Sequence, residues 1–140
     1  MTRIVIDTGP IVALLNRRDP QHRWVREVLD TLEPPVFTCE AVVSEACFLL
    51  AQVGADHAVL ELLANDVLRI DFQLRAEIEA VRALRRKFAD VPMSLADACL
   101  VRMSELDSTA QILTLDSDFA IYRRHRRRVI PTLMPGRRKR

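Results

Sequence analysis

Two short apolar runs, each stopping at an aspartate, most constrain what this chain can fold into: Ile4-Val5-Ile6 ahead of Asp7, and Ile112-Leu113-Thr114-Leu115 ahead of Asp116. Runs that are apolar almost throughout, with no alternation, suit strands buried on both faces. Between them the apolar period is helical. Helices are expected from Pro10 to Leu15, over residues 21–32, 40–53, 55–65 and 74–88, and over residues 95–106 with Ser94 as cap. Further strands are expected at 36–38 and 67–72, with a short one at 129–130. Strands alternating with helices imply β-α-β units, hence a parallel sheet covered on both faces, an α/β three-layer sandwich of four to five strands. Ligands of such sheets bind outside the carboxyl ends of the strands, where the strand order reverses. Asp7 and Asp116 both fall at strand ends of that kind.

At 140 residues and 49% apolar the chain fits one domain, and 5% aromatic content suits helices packed on a buried sheet. Residues 1–136 are read as that domain and 137–140 as a basic, flexible tail. The net charge of +2 hides an asymmetry. The first 118 residues carry 12 of the 21 Lys and Arg against all 19 acids, net −7; residues 119–140 carry the other nine and no acid, net +9. An acidic body beside a basic end suits a polyanionic partner gripped next to, and not by, the acids. Cys39, Cys47 and Cys99 lack C-x-x-C spacing, which argues against a disulfide framework or zinc site and for reduced, buried thiols. The amino end reaches an acid at Asp7 before any long apolar stretch, so a cytoplasmic protein without a membrane span is expected.

On a helical wheel for residues 40–53, Val42, Val43, Ala46, Leu49, Leu50 and Val53 form the expected buried stripe, with Glu45 on its margin and Glu40 outside it. Glu45 is the acid of this helix expected to point inward. Asp97 lies in a helix apolar nearly all round, three residues after Ser94, a spacing that also makes a capping box. Capping and cation binding are compatible for a carboxylate in a first helical turn. Gathering Asp7, Glu45, Asp97 and Asp116 is costly, since two unit charges about 4 Å apart repel by roughly 4 kcal/mol at an effective dielectric near 20. A hard divalent cation removes that penalty. Carboxylates suit Mg2+ or Mn2+, one or two ions, and the absence of His or Cys clusters argues against zinc. Such a site suits phosphodiester hydrolysis without a side-chain nucleophile. A paired-histidine design is disfavoured, because His22, His57 and His125 sit in unrelated polar segments.

These residues resemble the PIN-domain family, in particular the VapC-type toxin ribonucleases of bacterial toxin–antitoxin pairs. The resemblance rests on Ile4-Val5-Ile6-Asp7-Thr8-Gly9, Ser44-Glu45, Ser94-Leu95-Ala96-Asp97-Ala98 and Leu113-Thr114-Leu115-Asp116-Ser117-Asp118-Phe119, in order and over nearly the whole chain. It implies a Rossmann-like sheet, a Mg2+ or Mn2+ site at Asp7, Glu45, Asp97 and Asp116, and cleavage of structured RNA such as tRNA or rRNA. It also implies a homodimer and inhibition by a small antitoxin. Thr114 and Thr8 are then expected to hold ligands or waters from behind. Asp116 is preferred to Asp118 because it follows the strand directly. Asp118 has an alternative as cap of a short helix from Phe119, and can also serve the metal.

Arg123, Arg124, Arg126, Arg127 and Arg128 are candidates for gripping RNA phosphates, against the alternative of a solvated helix end. Two rivals to the nuclease are a catalytically silent RNA-binding or regulatory module of the same fold and a receiver-type phospho-acceptor domain. The first has no use for a repulsive cluster of four acids. The second wants a partner lysine, and only Lys87 and Lys139 exist.

Overall fold

A computed structural model describes residues 2–136; the expected tail at 137–140 lies outside the described residues. Five parallel strands form the main sheet: β1 (Ile4–Ile6), β2 (Val36–Thr38), β3 (Leu68–Ile70), β4 (Gln111–Leu113) and β7 (Thr132–Leu133), in the order β3-β2-β1-β4-β7. Six helices connect them: α1 (Thr8–Leu15), α2 (His22–Asp30), α3 (Glu40–Ala51), α4 (Asp56–Ala64), α5 (Ile78–Lys87) and α6 (Leu95–Leu106). The expected parallel α/β sandwich is the observed one.

The strand order runs outward one way from β1 to β3 and then crosses back to β4. Right-handed crossovers therefore put α1 to α4 on one face and α5 with α6 on the other. Packing agrees: α1 touches α2, α3 and α4, whereas α5 packs on α6, which lies against β1 and β4. The reversal falls between β1 and β4, paired in register from Ile4 with Gln111 to Ile6 with Leu113. Ile4, Val5, Ile6, Ile112 and Leu113 are all buried, so the two runs that limited the fold form the centre of its core.

Several elements differ from the sequence reading. Thr8-Gly9-Pro10 is no separate turn but the first turn of α1, where a proline costs no intrahelical hydrogen bond. Residues 74–77 form turns, and α5 starts only at Ile78. α3 ends at Ala51, and Gly54, at a φ of 71°, lets the Ala55 amide return to the Leu50 carbonyl. Its buried residues are Val42, Ala46 and Leu50; Leu49 and Val53, expected inside, are 45% and 57% exposed. The helix is apolar over most of its circumference, so periodicity alone could not tell which side faces in.

The arginine-rich segment is not a helix end. It forms an antiparallel hairpin of β5 (Arg123–Arg124) and β6 (Arg128–Val129), turned through His125 and Arg126 at positive φ. The fifth sheet strand is therefore Thr132–Leu133, not 129–130. Ile130 is buried in the core, and the Pro131 carbonyl accepts the Ile112 amide to bring the next two residues into the sheet.

Candidate active site

Besides Tyr122, six side chains with polar groups are buried among the described residues: Asp7, Thr8, Thr38, Asp97, Ser104 and Thr114. All but Ser104 belong to the strand ends and helix starts at the carboxyl edge of the sheet. Buried polar groups need partners, and those partners define the site.

Asp7 caps α1: its Oδ1 accepts the Thr8 amide at 2.7 Å, while Oδ2 accepts the Thr114 hydroxyl at 2.7 Å. Thr114 in turn accepts the Asp116 amide at 3.0 Å, so one hydroxyl links the acids that end β1 and follow β4. Thr8 donates its hydroxyl to Glu45 Oε2 at 3.0 Å and so draws an otherwise exposed side chain of α3 to the same place. Both threonines thus stand behind acids.

Asp97 forms the capping box expected from sequence. Its amide donates to Ser94 Oγ at 3.0 Å, and its Oδ2 accepts the Ser94 amide at 3.3 Å. The same Oδ2 accepts the Tyr122 hydroxyl at 2.8 Å. Oδ1 accepts no hydrogen bond among the described residues. Tyr122 is fully buried and held edge-on by Phe88 and Phe119, at centroid distances of 5.3 and 5.2 Å. Burial and the Asp97 charge push its hydroxyl above the ordinary range, keeping it a donor. Tyr122 is the site residue the sequence reading missed. It lies 25 positions from its partner, at the edge of an arginine run that drew attention for its charge.

Asp116 caps a short 3-10 helix, Ser117–Ala120, by accepting the Asp118 amide at 2.9 Å. Asp118 is consequently not the cap expected at Phe119: the helix begins earlier, and its cap is Asp116. The Asp118 carboxyl faces the same opening, and partial desolvation together with the charges of Asp116 and Asp97 raises its pKa.

Asp7, Glu45, Asp97, Asp116 and Asp118 line one open cleft of about 600 Å3, with Ser94 and Pro92 on its wall. Burial pushes the Asp7 carboxyl up to about 6, with repulsion from Asp97 and Asp116 adding to it against the hydrogen bonds from Thr114 and Thr8. All five candidate acids therefore meet. Their donor set is all oxygen, with uncommitted atoms on Asp97, Glu45, Asp116 and Asp118, which fits a hard divalent cation by type. Among the described residues, no three His, Cys, Asp or Glu side chains already stand close enough to hold an ion. None of the histidines lines the cleft; His22, half-buried, is hydrogen-bonded to the Ala13 carbonyl.

The arginines divide. Arg123 donates to the carbonyls of Ala120, Ile121 and Tyr122, and Arg124 to those of Ser104 and Ser108, so both hold the hairpin in place. Arg126, Arg127 and Arg128 are exposed at and beside its tip. None of the five lines the acidic cleft.

A parallel sheet with a carboxylate-lined crevice at its switch point defines a class of α/β proteins that meet their ligand through acids at strand ends and helix starts. Residues 4–124 match the PIN domain, and the chain belongs to that family. It is 32% identical over 116 residues to the ribonuclease VapC26 of Mycobacterium tuberculosis, covering 81% of this chain and 86% of that protein. Among solved structures it resembles the Sarcin-Ricin loop cleaving toxin VapC20 of M. tuberculosis, with a TM-score of 0.71 and 22% identity over 84% of this chain and 93% of that one. A toxin–antitoxin complex from Klebsiella pneumoniae gives a TM-score of 0.65 and 19% identity, over 84% and 90% of the respective chains. Both structural likenesses concern the fold. No helix among the described residues is long and apolar enough to cross a membrane.

Proposed function

We propose that the protein is an endoribonuclease dependent on Mg2+ or Mn2+, acting on structured RNA as the toxin of a toxin–antitoxin pair. The observation that carries this reading is the convergence of Asp7, Glu45, Asp97, Asp116 and Asp118 on one cleft whose lining, among the described residues, includes no cationic side chain. Membership of the PIN family and similarity to a ribonuclease over most of both chains support it. A silent RNA-binding module fits less well, because it gains nothing from burying Asp7 among other acids, where burial first and repulsion second raise its pKa.

Asp7, Asp97, Asp116 and Glu45 would hold one or two ions, with Asp118 able to join them. A cation held there would neutralise the cluster and supply Lewis-acid chemistry to a phosphodiester and a water. The chain's own part is positional. Thr114 fixes the Asp7 carboxylate, and Ser94 with Tyr122 fixes one oxygen of Asp97 so that the other faces the cleft. Thr8 ties Glu45 to the same edge.

A cytoplasmic protein working as a homodimer under antitoxin control completes the reading. A protein partner is supported by exposed Phe48, Leu49 and Val53 on α3 and its C-terminal turn and Leu60 on α4, large apolar side chains that an interface would cover. The decisive experiment incubates purified protein with total tRNA and rRNA under Mg2+, Mn2+ or EDTA. Cleavage with either metal and none in EDTA is expected; equal cleavage in EDTA sinks the metal mechanism, and RNA binding without cleavage in both metals favours the silent module.

A further inference from the structure

An acidic cleft repels the polyanion it is meant to cut, so the positive charge that holds RNA must stand beside it. The hairpin answers this only in part, since Arg123 and Arg124 are committed to carbonyls of the protein. A second groove, of about 480 Å3, adjoins the acidic one, and Pro92 lines both. Arg82, Arg85 and Arg86 of α5 edge it, and Ile78, Val81 and Leu95 give it an apolar lining.

The three arginines are not equally free. Arg82 is paired with Glu79 at 2.9 Å. Arg85 donates its Nε to the Met93 carbonyl at 3.3 Å, which orients the guanidinium and leaves its terminal nitrogens open. Arg86 has no side-chain hydrogen bond or ion pair among the described residues. Lys87 donates to the Arg126 carbonyl and so fastens the hairpin tip, with exposed Arg126, Arg127 and Arg128, to the end of α5. Basic residues in a last helical turn also complement the helix dipole. That explains charge at the end of α5, but not its placement around an indentation with an apolar lining.

We propose that the α5 groove binds a nucleotide flanking the RNA segment that enters the acidic cleft. Arg85 and Arg86 grip its phosphate, and Ile78 and Leu95, both about 40% exposed, receive ribose and base. Guanidinium groups suit phosphate by their forked geometry, and an apolar surface beside them accepts any base. The continuity at Pro92 lets one strand occupy both grooves. This proposal rests on the ribonuclease reading.

The test measures binding of a short fluorescein-labelled single-stranded RNA of mixed sequence, by anisotropy in EDTA, across about 50 to 200 mM KCl. Removing one phosphate-neutralising side chain flattens the slope of log K against log salt by about 0.7 for a single strand. Arg86→Gln is expected to flatten it by about one such step, and Arg85→Gln with Arg86→Gln by about two, with roughly tenfold weaker binding. Arg86→Lys restores most of the slope, and Arg23→Ala on α2 leaves it unchanged. Circular dichroism checks that the variants are folded; Arg86, having no partner among the described residues, tests the idea even if the double variant is not. Wild-type slope in both Gln variants, with wild-type protein still binding and cleaving RNA, overturns the groove and leaves the nuclease standing. Retained RNA slope with abolished binding of poly-glutamate assigns the groove to an acidic peptide and also overturns it. Failure of wild-type protein to bind or cleave RNA overturns both proposals.

Discussion

Two groups of charged side chains in this protein are handled in opposite ways. Around Arg3 the charges are paired: its guanidinium reaches Asp71 at 2.6 Å and Asp107 at 3.3 Å, and lies 3.8 Å over the Phe37 ring. Hydrogen bonds from Thr109, backed by Arg3, hold the Asp107 carboxyl below its ordinary value. In the cleft, five carboxylates share a wall, none is in an ion pair among the described residues, and Asp7 is driven up. The first group is electrostatically complete and holds structure. Among the described residues the second lacks a counter-charge, and its hydrogen bonds come from hydroxyls and amides that orient carboxylates without neutralising them. Such an arrangement is stable only by partial protonation or with a cation from outside.

The contrast breaks first, and hardest, at the acids themselves. Asp97→Asn is expected to lower RNA cleavage by more than about 100-fold, since removing even a partner behind a metal ligand costs about 10–100-fold. RNA binding in EDTA should persist, as a gel-shift assay can check. Thr114→Val, which removes the hydroxyl between Asp7 and Asp116, should lower cleavage by about 10–100-fold. Retained activity in that variant would mean that Asp7 needs no orienting.

Stability should separate the two groups by sign. Because the Asp7 pKa is raised in the folded protein, its contribution is fully present below its unfolded value near 4 and is lost as pH rises through about 6. In EDTA at about pH 8 the ionised carboxylate is therefore a liability, and Asp7→Asn should raise unfolding free energy by on the order of 1–2 kcal/mol. Urea denaturation reads this directly. Adding Mn2+ should stabilise wild-type protein and leave Asp7→Asn nearly unmoved. The smallest effect belongs to the paired group: Arg3→Ala should destabilise by about 1 kcal/mol, less in high salt, and ignore Mn2+. A gain from Arg3→Ala, or a loss from Asp7→Asn in EDTA, would erase the distinction.

Much of this was legible in the sequence where local pattern and burial coincide. The Ile4–Ile6 run reads as a buried strand and is one, and Ser94 with Asp97 announces its capping box by spacing alone. Asp7, Asp97 and Asp116 could be named because each follows a strand or opens a helix, and Glu45 because it lies on the margin of an apolar stripe. Long-range partners left no such mark. The Tyr122 hydrogen bond to Asp97 depends on the path of the chain through Phe119 and the hairpin, and nothing near Tyr122 encodes it. The alternatives for Arg123 to Arg128, an RNA grip or a solvated helix end, could not be separated, nor the hairpin foreseen, because charge density says nothing of the backbone. The exposure of Phe48, Leu49 and Val53 was hidden for the opposite reason, since α3 has too many apolar positions for a wheel to choose among. Nothing in the pattern of residues 74–88 marks Arg85 and Arg86, and only the groove beside Pro92 gives them a direction.

The central claim, that the cleft is built for a cation the protein does not itself supply, is tested most directly by calorimetric titration of Mn2+ into chelator-stripped protein at about pH 8, where Asp7 is ionised. Saturable binding of one or two ions in the wild type, abolished in Asp7→Asn and in Asp97→Asn, is the expected result. A wild-type titration showing only the heat of dilution, or binding that survives both substitutions, would contradict it.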